Sequence, residues 1–379
     1  MTAVLEHKDN ANEAILYMAL ELSDKKWKLG FSNGEKHRHV TIAAGDWVGL
    51  HAQMDRAKHK LKLATSCRIV SCYEAGRDGF WIHRELEAEG IENQVVDSAS
   101  LEVNRRSRRA KTDRIDVQGL LRLLQRYWQG DRKAMSVVRV PTLEQEDGRR
   151  LHRERERLIK ERGVHSVRIK SLLVAHGIRL EIRADFLEKL DVAKGGSTGY
   201  ALGVDLKAEL RREYERYRLV DQQVRALEAE QKLRVQEAGE SGALKQIYQL
   251  LQLKGVGWQS SWVLVMEFFA WRDFRNQGQV GACAGLTPTP YASGQIQREQ
   301  GISKAGNRRV RTLMIELSWL WLRYQPNSGL TQWFERRFAG GGKRMRRIGI
   351  VAVARRLLIA LWRYVNEGVV PEGATLKAA

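Results

Sequence analysis

The chain has 379 residues, of which 43% are hydrophobic and 11 are Trp, and it carries a formal net charge of +20. This length and composition exclude a disordered tail and predict two or three packed domains. Because each phosphate that a basic protein neutralises releases condensed counterions, this charge predicts a polyanionic partner, and nucleic acid is the first candidate.

Neither a membrane span nor an export signal is indicated. The most apolar late stretch, residues 348–362, is interrupted by two arginines and is too short to cross a bilayer. The first residues mix charges of both signs before any apolar run, unlike a signal peptide. Cys67, Cys72 and Cys283 are odd in number and lack metal-ligand spacing, which predicts free thiols and no zinc site. We therefore expect a cytoplasmic protein.

The first third of the chain predicts a mixed α/β domain. Residues 14–44 indicate a meander of three short strands, because apolar residues are interrupted by the turn-forming stretches SDKK and SNGEK. Helices and strands then alternate, as in a parallel sheet. The predicted elements after the meander are a helix over 47–64, a strand over 67–75, a helix over 80–90, a strand over 93–99 and a helix over 113–128.

The middle third predicts a helical arm. Residues 143–178 and 206–238 are charged helical stretches with few breakers, and residues 194–200 (KGGSTGY) are the expected turn between them. A narrow apolar seam indicates a helical hairpin or coiled coil that either dimerises or serves as a spacer. The seam residues, spaced mostly by three or four, are Leu206, Leu210, Tyr217, Val220, Val224 and Leu227.

The last third predicts mostly helices. A Gly-Val-Gly turn within residues 250–268 joins two helices, and it either presents backbone N–H groups to a phosphate or is a tight connection. Two long helices follow over 307–325 and 346–365, separated by FAGGGKRMRR. The predicted domains are an α/β domain over 1–140, a helical arm over 141–242 and a mostly helical domain over 243–379.

Four carboxylates occupy positions that this fold could bring together. Glu21 is placed in the middle of the first strand, Glu74 at the end of the next apolar strand, and Asp113 and Asp116 at the start of the 113–128 helix. An acid within the apolar run LYMALEL is costly to bury unless it is paired or bound to metal. Carboxylates are the ligands that Mg²⁺ and Mn²⁺ prefer, and two such ions can hold a phosphodiester from both sides.

Each of these acids also has a purely structural interpretation. Asp113 and Asp116 can cap free N–H groups and complement the helix dipole. Glu74 can be a solvated strand end, and Glu21 can pair with a neighbouring Lys. Asp24 is no substitute for Glu21, because it lies three residues along in a turn-forming context and faces the other way.

Four stretches in chain order resemble one known family, the DEDD transposases of the bacterial insertion-sequence group IS110 with its IS1111 subgroup. They are ALELSDKKWKLGF, SCYEAGRDGFW, AKTDRIDVQGLLRLL and CAGLTPTPYASGQIQREQGISKAGNRRVRTLM. The resemblance covers nearly the whole chain, and the joint occurrence of KTDRID and the late ISKAGN motif is specific. It implies a ribonuclease H-like (RuvC-like) N-terminal domain, a helical arm and a C-terminal transposase domain.

The resemblance also implies a set of functional residues. The family's four acids fall on Glu21, Glu74, Asp113 and Asp116, and its C-terminal serine falls on Ser293. In the family this serine is held to attack DNA and form a phosphoserine link, while the acids bind Mg²⁺ and a structured guide RNA pairs with target and donor DNA. The first acid is usually Asp in this family, so Glu21 is a departure that still supplies a carboxylate.

The residues around Ser293 fit a nucleophile or a simple turn. A serine hydroxyl needs a base or a metal to become nucleophilic, and nearby cations offset the charge on an attacked phosphate. The alternative is an ordinary Ser-Gly turn beside a solvated basic helix face. The candidate nucleic-acid-binding residues are Arg105, Arg106, Arg108, Arg109, Lys111, Arg298, Lys304, Arg308, Arg309, Arg311, Lys343, Arg344, Arg346 and Arg347.

The leading functional hypothesis is an insertion-sequence transposase that cuts and rejoins DNA strands with Ser293 and an acidic Mg²⁺ or Mn²⁺ site. Its expected partners are the element ends, a target DNA, a guide RNA and further copies of the chain, as a dimer or tetramer. A metal-dependent nuclease or Holliday-junction resolvase, in which the acids activate water, is one alternative. A non-catalytic architectural nucleic-acid-binding protein is the other.

Overall fold

The computed structural model describes residues 14–98, 113–237, 242–293 and 296–377, with the side chains of 113–115 and 291–299 left out. The chain divides into two compact units, Met1–Val140 (unit 1) and Pro141–Ala379 (unit 2). The elements of unit 1 are β1 (Ile15–Leu22), β2 (Lys26–Ser32), β3 (His37–Ala43), α1 (Trp47–Lys60), β4 (Arg68–Glu74), α2 (Trp81–Ala88), β5 (Glu92–Val96) and α3 (Asp113–Trp128).

Unit 1 is built on a five-stranded mixed sheet with strand order β3-β2-β1-β4-β5. The first three strands form the predicted antiparallel meander, and β1 pairs in parallel with β4, which pairs in parallel with β5. The predicted alternation of strands and helices is confirmed. Glu21 is the seventh of the eight residues of β1, so its expected place in the middle of the strand was wrong.

The pleat of the sheet creates two apolar faces. Tyr17 and Ala19 of β1 share a buried cluster with Val70 and Cys72 of β4, and α3 covers this face with residues such as Leu124. The alternate residues face α1 and α2 in a second cluster. That second cluster includes Leu16, Met18, Leu20, Trp27, Leu29, Phe31, Leu50, Tyr73, Ile82 and Leu86.

Unit 2 is mostly helical. Its helices are α4 (Leu143–Asp147), α5 (Arg150–Val174), α6 (Phe186–Val192), α7 (Val204–Glu237), α8 (Gly242–Leu251), α9 (Trp258–Leu264), α10 (Gln277–Cys283), α11 (Arg308–Tyr324), α12 (Gly329–Phe334) and α13 (Lys343–Glu367). Two hairpins, β6 (Lys194–Gly195) with β7 (Tyr200–Ala201) and β8 (Pro288–Ser293) with β9 (Ile296–Ile302), interrupt them. Two π-helical turns follow α9 and α12, over Val265–Phe269 and Glu335–Ala339.

The predicted arm is a helical hairpin of α5 and α7. Leu158 of α5 is buried with Val220 and Val224 of α7, so the seam predicted from spacing is confirmed. Ion pairs across the hairpin fix an antiparallel register, including Arg155 with Glu228 at 2.6 Å. The connection between the arms is longer than predicted, because α6 precedes the hairpin that contains KGGSTGY.

Two further expectations for unit 2 needed correction. The stretch FAGGGKRMRR was expected to separate two helices, but its last five residues, Lys343 to Arg347, form the start of α13. Neither α12 nor the β8–β9 hairpin was predicted.

None of the described helices combines the length and apolar surface that crossing a bilayer requires. The three cysteines are free thiols, as expected.

The packing of α3 can be tested by removing one buried side chain. Leu124 is fully buried between α3 and the sheet, so Leu124→Ala should lower the free energy of unfolding of unit 1 by about 2–5 kcal/mol. Urea unfolding followed by hydrogen exchange of unit 1 peptides measures this change. The control Val48→Ala shortens a largely exposed valine of α1 in the same unit and should change stability by less than about 0.5 kcal/mol. Equal effects of the two substitutions would contradict the described packing.

Candidate active site

Glu21 and Glu74 lie at the same edge of the sheet in unit 1. Because β1 and β4 are parallel neighbours, their carboxyl ends meet, and both glutamates line one cleft of about 320 Å³. Glu21 follows Ala19 by two residues and Glu74 follows Cys72 by two, so the period of the pleat places both acids on the face covered by α3. The sequence prediction that these two acids converge is consistent with this placement.

The direction of α3 carries its acids toward the same edge. Val117 lies beside Gly30, since a Cβ on Gly30 would meet the Val117 Cγ1 at 3.5 Å, and Gly30 pairs with Ala19. Gln125 donates to the Ser32 hydroxyl at 2.7 Å, at the opposite end of the strands. The helix therefore runs antiparallel to β1. Its first residue precedes Val117 by about 6 Å along the axis, toward the end of β1 that bears Glu21.

The start of α3 thus approaches the strand ends with Asp113 and Asp116. Both acids lie at the helix start as predicted, with Asp116 partly buried, whereas the Asp113 side chain is outside the described residues. Among the described side chains, no group of three His, Cys, Asp or Glu residues is arranged to hold a metal ion. The four-carboxylate metal site therefore stays a prediction, supported by the common edge of three elements.

Other charged groups of the cleft are engaged with each other. Asp24 pairs with Arg77 at 3.1 Å, and Arg77 also contacts Asp78 at 3.5 Å. The strand register places Lys28 directly opposite Glu21. Asp24 lines the same cleft, and its largely exposed carboxylate is paired with Arg77.

In unit 2 the backbone places Ser293 at the last position of β8, where it pairs with Ile296 of β9. Ser293 therefore ends a strand of a two-stranded ribbon, and this placement leaves both interpretations of the serine, nucleophile or turn residue, open. Its side chain and that of Arg298, which lies on β9, are outside the described residues. A strand end next to a glycine is a position from which a short side chain can approach a ligand closely.

The candidate basic residues divide into two groups. Arg309 donates to Glu156 of α5 at 2.6 Å, and Arg311 donates to the Ala284 carbonyl at 3.1 Å, so both are held within unit 2. Lys304 and Arg308 are exposed and form no ion pair in the described part of the chain. The same is true of Lys343, Arg344, Arg346 and Arg347 at the start of α13. Arg105, Arg106, Arg108, Arg109 and Lys111 are outside the described residues.

Sequence reasoning missed a buried acid, Glu267, in the π-helical turn after α9. Only 2% of its side chain is exposed. His152 contacts its Oε1 at 2.8 Å, and Arg153 donates to Oε1 at 2.6 Å and to Oε2 at 3.0 Å. Asn307 also reaches Oε2, at 3.4 Å. One carboxylate therefore connects α5, the π-helical turn and the residue that precedes α11.

The charge of Glu267 is strongly stabilised. Burial by itself raises the pKa of Glu267, but the hydrogen bonds from His152 and Arg153 outweigh it and hold this pKa well below its usual range. The same pairing raises the pKa of Arg153. The signal that could have identified Glu267 is the one that identified Glu21, an acid inside an apolar run, here VLVMEFFAW.

The Glu267 cluster also borders the base of the ribbon. Asn307 caps α11 by accepting from the Val310 N–H at 3.1 Å, and its own N–H donates to the Cys283 carbonyl at 2.7 Å. Gly306 has a φ of +121°, and a Cβ there would collide with the Cys283 carbonyl oxygen. The motif ISKAGN thus connects α10, the ribbon and α11. Only a glycine at position 306 lets the backbone lie this close to the Cys283 carbonyl.

Comparison with known proteins identifies the family. The family described as "Transposase IS116/IS110/IS902 family" matches residues 248–334. A putative transposase, y4rJ, of Sinorhizobium fredii is 43% identical over 376 residues, covering 96% of this chain and 94% of that protein. The chain belongs to this transposase family. The transposase for insertion sequence element IS1111A of Coxiella burnetii is 27% identical over 266 residues, covering 70% of this chain and 68% of that protein.

The family match falls on the part of this transposase that holds both the ribbon and the buried acid. Residues 248–334 include Ser293, Glu267 and Asn307, but not the arm residues His152 and Arg153. The matched segment therefore contains the carboxylate and its partner Asn307, and the arm supplies the other two side-chain partners, His152 and Arg153.

Glu267 should dominate the acid sensitivity of unit 2 in this transposase. Because its folded-state pKa is depressed, its contribution to stability is complete above the unfolded value of about 4.3 and is lost as the pH falls below it. Glu267→Ala removes one partner of a buried pair and should lower the free energy of unfolding by about 3–5 kcal/mol near pH 7. Glu267→Gln should lower the free energy of unfolding less than Glu267→Ala does. It should also make the decrease in stability at acid pH smaller, because glutamine does not titrate.

Urea unfolding of unit 2 at a series of pH values, from neutral to below the unfolded pKa, measures both effects. The control Glu316→Ala removes an exposed acid of α11 and should change stability by less than about 0.5 kcal/mol. If Glu267→Gln loses as much stability at acid pH as the unsubstituted protein does, another group is responsible for the acid sensitivity of unit 2.

Proposed function

We propose that this transposase cuts and rejoins DNA strands with Ser293 as the nucleophile and with Glu21, Glu74, Asp113 and Asp116 as the ligands of Mg²⁺ or Mn²⁺. The observation that supports the proposal is that Glu21 and Glu74 line one cleft at the edge of β1 and β4 that the start of α3 approaches. We further propose that unit 1 is a ribonuclease H-like (RuvC-like) domain, which its mixed five-stranded sheet supports.

The donor set fits the proposed ions. All four residues offer carboxylate oxygens, which suit hard divalent cations, and neither cysteine nor histidine lines the cleft among the described residues. When bound, Mg²⁺ would supply positive charge that stabilises the pentavalent phosphorus of a phosphoryl transfer. Glu21 stands where the family usually has Asp, and its longer side chain still ends in a carboxylate.

The proposed reaction is a transesterification that conserves the phosphodiester bond. The Ser293 hydroxyl loses its proton, its oxygen bonds to phosphorus, and the bond from phosphorus to one deoxyribose oxygen breaks; the released oxygen takes up a proton. Rejoining is the reverse attack by a strand hydroxyl, which frees the serine. Exposed cations that form no ion pair with the described residues, such as Lys304 and Arg308, are suited to hold the phosphate backbone.

We also propose that a structured guide RNA selects the DNA and that the chain acts as a dimer or tetramer. The charge of +20 is suited to two nucleic acids. The arm supports self-association, because it exposes apolar side chains on both helices: Val164 and Val167 of α5, and Leu219 of α7, are each more than half exposed.

The nucleophile can be tested by trapping its covalent product. The full-length protein, Mg²⁺, DNA bearing the element ends and RNA transcribed from those ends should give a protein–DNA adduct that survives denaturation. Ser293→Ala should abolish this adduct, since alanine offers no oxygen to phosphorus. The matched control Ser303→Ala removes an exposed serine just beyond the ribbon and should leave the yield unchanged. Adduct formation by Ser293→Ala would disprove the assignment.

The acids can be tested by neutralising one at a time. Glu21→Gln should reduce strand cleavage by at least about 100-fold, because an amide cannot replace a metal-binding carboxylate in a phosphoryl transfer. Asp24→Asn neutralises a second carboxylate of the same cleft and should retain most of the activity, since Asp24 is already paired with Arg77. Single-turnover cleavage over a range of Mg²⁺ and Mn²⁺ concentrations compares the Glu21→Gln and Asp24→Asn variants. Equal losses would contradict a specific role for Glu21.

A further inference from the structure

Three tryptophans form a triangle beside the cleft of unit 1. The ring centroids of Trp27 and Trp47 are 6.0 Å apart, those of Trp27 and Trp81 are 5.9 Å apart, and those of Trp47 and Trp81 are 5.8 Å apart. Trp27 is 1% exposed, whereas Trp81 is 40% exposed. The triangle therefore holds one aromatic ring rigidly at the surface, with two other rings behind it.

The exposed ring lies at the same edge of the sheet as the acids, but on the face that α1 and α2 cover. Leu22 lines the cleft, and its register partner on β2 is Trp27. On the other side, Arg77 and Asp78 line the cleft three to four residues before Trp81. The Tyr73 hydroxyl donates to the Gly79 carbonyl at 2.9 Å, which fixes the segment between β4 and α2.

The turn between β1 and β2, at the same edge of the sheet, carries exposed cations. Lys25 and Lys26 are exposed in the turn between β1 and β2, directly before Trp27, and neither forms an ion pair in the described part of unit 1. Single exposed apolar side chains are common and need no partner. A half-exposed indole at the same sheet edge as exposed lysines is, by contrast, a combination suited to an unpaired nucleic-acid strand, with cations on the backbone and a ring under a base.

We propose that Trp81 is a stacking platform for one unpaired base of the DNA strand whose phosphate enters the Glu21–Glu74 cleft. This inference rests on the proposed cleavage of DNA at that cleft and adds the feature that holds the strand there. Base stacking uses the face of the ring and tolerates any base, so the platform would position the strand without selecting its sequence. A second copy of the chain is the less suitable occupant, because the lysines repel another basic surface.

The test compares two replacements of Trp81 in the full-length protein. Trp81→Phe keeps an aromatic ring, whereas Trp81→Leu keeps apolar bulk without one. With a short single-stranded DNA in EDTA, Trp81→Leu should weaken binding by about 5-fold to 150-fold, and Trp81→Phe should stay within about threefold of the unsubstituted protein. The slope of binding against salt should not change, because stacking releases no counterions.

Cross-linking supplies a local measurement that other binding surfaces cannot obscure. A single-stranded DNA containing 5-iodouracil should cross-link to Trp81 under ultraviolet light, as identified by mass spectrometry. The control Val48→Ala, which shortens an exposed residue of α1, should change neither affinity nor cross-linking. Thermal unfolding of each variant checks that the fold is kept.

Three results would overturn the platform: no cross-link at Trp81, equal affinities of the Leu and Phe variants, or a change in oligomeric state without a change in DNA binding. Weakened binding of an RNA of the same sequence, with DNA binding intact, would also overturn it. Because binding is measured in EDTA, these outcomes are independent of whether Ser293 and the acids cleave DNA.

Discussion

The parallel pairing of β1 with β4 is the constraint on which the architecture of unit 1 depends. It places the carboxyl ends of two strands side by side, and only that arrangement lets Glu21 and Glu74 line one cleft. Because side chains alternate across a strand, a shift of one residue in this register would move Glu21 to the face occupied by Leu20 and Trp27. The large apolar residues on both faces oppose such a shift, so the cores of unit 1 position the acids as well as stabilising the fold.

Glu21 and Glu267 show how one sequence signal leads to two different sites. Both are acids within apolar runs, and burying either without a partner is costly. Glu267 is enclosed by His152, Arg153 and Asn307, so its charge is already balanced inside unit 2. Glu21 instead borders an open cleft, next to a second carboxylate, Glu74. One acid is enclosed and the other lines a cleft, and no local pattern reveals this difference.

The sequence predicted what depends on local pattern and missed what depends on distant contacts. The meander, the helix over 113–128 and the arm seam follow from alternation, turn residues and helical spacing, and all are confirmed. The partners of Glu267 lie about 115 residues earlier in the chain, on α5, so spacing could not indicate them. The ribbon was missed because its strand β8 contains two prolines and β9 is rich in polar residues, and both features argue against a strand.

The cations near Ser293 illustrate why net charge alone does not define a nucleic-acid interface. Arg309 and Arg311 belong to the same basic run as Lys304 and Arg308, but one pairs with Glu156 and the other holds the Ala284 carbonyl. An arginine that is satisfied within the protein would have to lose those bonds before it could contact a phosphate, whereas an exposed lysine loses only water. Phosphate contacts in this segment should therefore come chiefly from Lys304 and Arg308, while Arg309 and Arg311 hold the start of α11 in place beside the ribbon. Contacts within the fold therefore divide a basic motif into arginines that are already engaged and cations that are exposed, a division that sequence spacing does not reveal.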